Sequence, residues 1–118
     1  MQHLNYQPER CEALFHEKAA KALERLKPLA PPNPELHASI ASGYRLRAEF
    51  RVWHDGDDLH YVMFPPGKPR SPHIIEAFLI AGPRITEAMS PLREVLQGSI
   101  ELRRKLFQVE FLSTLSGE

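Results

Sequence analysis

Between Tyr44 and Trp53 the chain alternates strictly, with Leu46, Ala48, Phe50 and Val52 at even positions and Arg45, Arg47, Glu49, Arg51 and Trp53 at odd ones. A period of two puts each set on its own side of an extended chain, whereas a helix would wind the apolar residues around its circumference. The stretch is therefore a half-buried strand, and any fold built on this sequence must cover one side of it. Asp55-Gly56 follows, where a tight hairpin turn requires positive φ, and Leu59 to Phe64 returns as the partner strand. The uncovered side carries three guanidiniums, one carboxylate and an indole. Planar cations beside an aromatic ring are an unusual choice for a merely solvated strand, where Thr and Lys are favoured.

The rest of the chain supplies helices and one more strand. A first helix is predicted over residues 8–27: Pro8 suits the first helical position, Glu9 and Glu12 complement the helix dipole, and Phe15, Ala19, Ala22, Leu26 and Leu29 recur at helical spacing. Its charged side, with Glu17, Lys18, Lys21, Glu24 and Arg25, reads as solvation. Pro28, Pro31, Pro32 and Pro34 stop this helix and hold residues 28–43 as an extended connection. After the hairpin, Pro65 to Pro72 is too rich in proline and glycine for regular structure, and His73 to Phe78 reads as a short extended segment. A second helix is predicted over 83–97, with Ile85, Ala88, Met89, Leu92, Val95 and Leu96 as its apolar stripe. Pro91 either kinks it or divides it, with Ser90 capping a new helix. Ser99 to Lys105 reads as a helical turn with a basic end, and Leu106 to Leu115 as a strand with Phe107, Val109 and Phe111 on one side. The fold class expected is α+β: an antiparallel sheet made of the hairpin 44–64 and strand 106–115, packed against the two main helices.

The 118 residues suffice for one domain. Lys and Arg number 15 against 15 Asp and Glu, so no long-range field gathers a polyanion and any nucleic-acid contact is a local patch. No apolar run approaches the roughly 20 residues that cross a bilayer, and a basic-then-apolar leader pattern is absent. No membrane partner is expected, and the expected compartment is the cytoplasm. The single cysteine, Cys11, rules out an internal disulfide and a Cys-based zinc site and reads as a small core residue. A strand followed by the Ser116-Gly117 turn normally leads into a pairing strand, so the sheet reads as cut off at residue 118. Strand 106–115 is then expected to leave an open edge that templates a homodimer.

Few residue groups here carry chemistry. His54, Asp55, Asp57 and Asp58 invite a metal reading, but Asp and Gly are also what a hairpin turn selects for backbone reasons. The histidines lack zinc-site spacing, Gly67-Lys68 lacks the rest of a phosphate-binding loop, and neither a cofactor fingerprint nor a nucleophile elbow is present. No metal site and no catalytic residue is therefore assigned. Arg103-Arg104-Lys105 precedes Phe107 at a helix-to-strand junction, which taken alone reads as charge complementing a helix end beside a core ring. Joined to the arginine strand, it makes two basic segments that each bear an aromatic ring. Unpaired RNA is recognised through those groups, guanidinium to phosphate and ring to splayed base. The candidate RNA contacts are Arg45, Arg47, Arg51, Arg104, Lys105 and Phe107. For Arg47 and Arg51 the structural alternative is pairing with Glu49 and nearby acids. At the level of function three classes stay open: an RNA-positioning piece, a protein-interaction module pairing through its sheet edge, and a small His/Asp metal enzyme.

The run Tyr44 to Leu59, above all Arg45, Arg47 to Arg51 and Trp53 to Asp58, closely resembles the N-terminal region of bacterial tRNA (uracil-5-)-methyltransferases. Lys105 to Gln108, with Leu112 and Thr114 to Ser116, resembles a second stretch of the same family. The resemblance implies a parent enzyme that moves a methyl group from S-adenosylmethionine to C5 of the T-loop uridine, using a cysteine nucleophile. It also implies that residues 1–118 are a single N-terminal RNA-positioning domain or fragment. The nucleophile, the base and the cofactor site would lie in a Rossmann-like catalytic domain absent from this chain, so no S-adenosylmethionine is expected to bind here, and Cys11 inherits no catalytic role. By the same resemblance the T-arm of tRNA is the partner, Arg47 and Arg51 contact phosphate or base edges, and Phe107 stacks or wedges near the flipped uridine.

Overall fold

The computed structural model describes residues 7–68 and 70–118, so the residues before Gln7, and Pro69 of the proline-rich loop, lie outside the described residues. Two compact units are present, one at Gln7–Ala41 and one that includes Ser42–Glu118. In the first, a single 3-10 turn at Pro8–Arg10 leads into helix α1, Cys11–Leu26, and a second such turn at Lys27–Leu29 closes it. Ala30 adopts a left-handed φ of 46° and donates its amide to the Lys27 carbonyl, so the helix ends at the start of the proline run. Residues 31–41 form no helix or strand, in keeping with Pro31, Pro32 and Pro34 at their start.

The second unit is a four-stranded antiparallel sheet in the order β3-β2-β1-β4, with strands β1 Arg47–Asp55, β2 Asp58–Met63, β3 His73–Ile74 and β4 Gln108–Leu112. Helices α2, Pro83–Gly98, and α3, Ile100–Arg103, join β3 to β4. The expected hairpin forms, with Asp55 opposite Asp58 and Gly56 at φ 59° in the turn. Strand β1 begins at Arg47 and not at Tyr44, because the backbone before it is engaged elsewhere. The Arg45 amide donates to the Ile80 carbonyl at 2.8 Å, and the Gly82 amide donates to the Arg45 carbonyl at 2.7 Å. A Cβ on Gly82 would lie 3.4 Å from that carbonyl oxygen, so this close approach favours glycine.

Alternation along β1 sorts its side chains as the sequence requires: Ala48, Phe50 and Val52 are buried while Arg47, Glu49, Arg51 and Trp53 are exposed. Phe50 sits among three rings, with centroids 5.2 Å from Phe78, 5.5 Å from Tyr61 and 6.1 Å from Phe111. The same cluster holds Ile85 and Met89 of α2, and Leu96 of α2 packs with Val52 and Leu59 farther along the sheet. Helix α2 runs unbroken through Pro91, which settles the choice between one helix and two. The Tyr61 hydroxyl donates to the Met89 carbonyl at 2.8 Å inside this core. Burial pushes that phenol up to about 12, partly opposed by the positive charge of Arg93.

Candidate nucleic-acid interface

The register sets out the face that α2 leaves uncovered. Along β1 it carries Arg47, Glu49, Arg51 and Trp53; β4 places Leu112, Glu110 and Gln108 opposite the first three, and β2 places Val62 opposite Arg51 and His60 opposite Trp53. Because β1 is a central strand, Arg51 stands in the middle of this face, between Gln108 and Val62.

Arg47 and Arg51 share strand, face and residue type, yet their surroundings differ. The Nε of Arg47 lies 2.6 Å from Glu110 Oε1 in an ion pair, and its Nη2 lies 3.7 Å from Glu49 Oε2. Glu49 and Glu110 oppose each other across the β1–β4 ladder, an arrangement that repels unless a cation intervenes. Gln108 Nε2 also donates to Glu49 Oε1 at 2.7 Å. Both carboxylates are thus committed to Arg47 and Gln108. Among the described residues, no acid and no hydrogen-bond acceptor is paired with the Arg51 side chain.

Arg45 lies just before the strand and lines one open hollow with Arg47, Glu49, Tyr44 and Phe78. Arg104, Lys105 and Phe107 lie at the entry to β4, where Lys105 takes φ 58° and Phe107 is 65% exposed. The Phe107 carbonyl accepts the Val52 amide at 2.9 Å, so the ladder continues to this point. Strand alternation then directs its ring to the side opposite Gln108 and Arg51. The six candidate contacts therefore form two groups, with the arginines on and beside the open face and Arg104, Lys105 and Phe107 at the sheet's corner.

Arg103, the first residue of the same basic run, has a structural task that sequence reasoning did not assign. Its guanidinium donates to the carbonyls of Asp57 at 2.7 Å, Gly56 at 2.9 Å and Gln97 at 3.2 Å, tying α3 to the hairpin turn. His54 Nε2 lies 2.8 Å from the Leu106 carbonyl oxygen, which can only accept, so that nitrogen carries the proton. Asp58 Oδ1, at the same turn, accepts from Gln97 Nε2 at 3.4 Å. Among the described residues no group of three or more His, Cys, Asp or Glu side chains is placed to hold a metal ion. Sequence reasoning also missed the partnership of Trp53 with Phe64, whose rings meet edge to face at 6.3 Å. The hairpin register gives no signal for it, since it pairs Trp53 with His60 and Phe64 lies just past the end of β2.

Residues 10–118 match the family model described as tRNA (uracil-5-)-methyltransferase. The chain is 44% identical over 113 residues to the tRNA/tmRNA (uracil-C(5))-methyltransferase of Dechloromonas aromatica, covering 96% of this chain and 31% of that protein. With the enzyme of the same name from Aromatoleum aromaticum it shares 50% identity over 102 residues, 86% of this chain and 28% of the relative. The corresponding Azoarcus enzyme is 47% identical over 113 residues, again 96% and 31%. The chain spans about a third of the length of these curated relatives.

Proposed function

Since the chain belongs to the tRNA (uracil-5-)-methyltransferase family, we propose that its sheet is an RNA-holding surface in an enzyme that methylates C5 of the T-loop uridine of tRNA. The observation that carries this reading is Arg51, a guanidinium without an acid partner among the described residues, at the centre of an uncovered sheet face and two residues from an exposed indole. A cation held in place by a rigid strand, and not neutralised by its neighbours, is suited to a phosphate oxygen or a base edge. Arg45, Arg104, Lys105 and Phe107 extend the contact, and Arg47 contributes by neutralising the two carboxylates that would otherwise repel RNA from the same face. S-adenosylmethionine would donate the methyl group. A labelled T-arm hairpin should bind the 118-residue chain with salt-dependent affinity, and Arg51→Ala should weaken it by roughly 5- to 150-fold, the range for a directed arginine contact. Unchanged affinity with a lowered unfolding midpoint would assign Arg51 to the fold.

A second reading rests on the sheet edge. Hydrogen bonds from the Ser113 amide to the Leu46 carbonyl and from Val52 to Phe107 fix the ladder, so the Gln108, Glu110 and Leu112 amides point away from β1 toward the free side of β4. We propose that two copies pair there, with exposed Leu112 at the contact. Sedimentation over a range of concentrations should show a dimer that Leu112→Pro, which removes an outward amide, abolishes. A strictly monomeric wild type ends this reading.

A further inference from the structure

Trp53 and the hollow beside it carry an inference that rests on, and deepens, the RNA reading. The hollow lies on the uncovered face, measures about 340 Å3, and is lined by Glu49, Arg51, Val62, Met63 and Phe64. Its floor is apolar: Val62, which is 1% exposed, lies in register between Arg51 and Ile74. Trp53 stands next to Arg51 on that face, is 40% exposed, and is held edge to face against Phe64. A tryptophan placed in the core would also be held by neighbouring rings, but its surface would not be left in water. Here an apolar floor, an oriented and accessible indole and a guanidinium unpaired among the described residues occur within two residues of strand.

We infer that Arg51, Trp53 and Phe64 form a stacking subsite for one unpaired nucleotide of the bound RNA, with the base against the rings and its phosphate on Arg51. Stacking on aromatic side chains tolerates any base and contributes on the order of 1–3 kcal/mol per base. Glu49 gives the subsite its polarity. Its carboxylate is engaged by Gln108 and Arg47 and offers the nucleotide no cation, which leaves Arg51 as the place for the nucleotide's charge. A paired base cannot enter, because its faces are already stacked within the duplex, so the subsite selects a splayed nucleotide.

Trp53 is the chain's single tryptophan, so its emission reports directly on this ring. The experiment titrates the 118-residue chain with end-labelled oligouridylate, following label anisotropy and indole emission together, and repeats it with duplex RNA. The expected result is quenching along the same isotherm as the anisotropy for the single strand, no quenching by the duplex, and a loss of affinity of roughly 5- to 150-fold in Trp53→Leu. If anisotropy reports binding while emission stays constant, the subsite is overturned and the RNA-holding reading survives. If anisotropy is flat as well, both fall. Should Trp53→Leu unfold, the wild-type quenching still decides.

Discussion

On one side of β1 Phe50 is enclosed by Tyr61, Phe78 and Phe111; on the other side, one residue along, Arg51 has no ionic partner among the described residues. The two neighbours are turned apart by the same alternation, and their free energies are then set by different solvents. Phe50 gains by leaving water, in proportion to the area that the rings and α2 cover. Arg51 gains nothing from the fold, and what it contributes must come from whatever meets the uncovered face. The contrast assigns stability to one face of the sheet and, on the proposed reading, recognition to the other.

The most severe test is to exchange the two roles. Phe50→Ala should destabilise the unit by about 3–5 kcal/mol, the usual cost of deleting a buried phenylalanine, and at that size the protein is close to unfolding. Arg51→Ala should stay within about 0.5 kcal/mol of wild type in urea denaturation, as surface changes do. Equal losses at the two positions would erase the distinction.

The next effect probes the core with a proton. Tyr61 titrates at about 12 in the folded chain against 10 for the free phenol, so its contribution is fully present below pH 10 and is lost as pH rises through 10 to 12. Above that window about 2–3 kcal/mol of stability should have gone. Tyr61→Phe cannot ionise and should lack this part of the alkaline fall, although at neutral pH it forfeits the bond to the Met89 carbonyl, worth about 1 kcal/mol. Identical alkaline profiles for the two proteins would mean that the phenol ionises as easily folded as unfolded.

A smaller effect separates the two arginines through RNA. If Arg51 touches phosphate, Arg51→Ala should lower the slope of log affinity against log salt by about 1, while Arg47→Ala leaves the slope near its wild-type value. Equal changes in slope would place both guanidiniums on the RNA.

Much of this was legible because periodicity is a local property. The hairpin, its Gly56 turn and the buried set Ala48, Phe50 and Val52 follow from alternation alone, and α2 follows from its apolar stripe. What stayed hidden depends on residues far apart in sequence. Glu110 meets Arg47 only because β4 lies antiparallel to β1 in one register, and no local signal in either segment fixes that register. Arg103 looked like its neighbours Arg104 and Lys105 until the chain path brought it to the carbonyls of Gly56 and Asp57. Strand boundaries slipped for a similar reason. The Tyr44 to Leu46 stretch alternates like a strand, but Arg45 bonds to the Ile80 to Gly82 segment before β1 begins.

The smallest effect tests the Arg47 side of the contrast. An exposed ion pair usually contributes about 0.2–1 kcal/mol, and the Arg47 side chain is 62% exposed, so on those grounds its removal would barely register. The register adds to that cost. Glu49 and Glu110 are direct cross-strand neighbours, and ladder parity makes them a non-hydrogen-bonded pair, the kind whose side chains approach more closely. Without Arg47, two carboxylates face each other with only Gln108 donating to one of them. Arg47→Ala should therefore cost near 1 kcal/mol, the upper end of the exposed range, and more at low than at high salt. The double variant Arg47→Ala with Glu110→Gln should recover most of the loss, because it removes the repulsion as well as the attraction, and a double-mutant cycle in urea measures the coupling. If Arg47→Ala leaves stability unchanged but lowers RNA affinity as far as Arg51→Ala does, the pair with Glu110 is incidental and both arginines serve the same ligand.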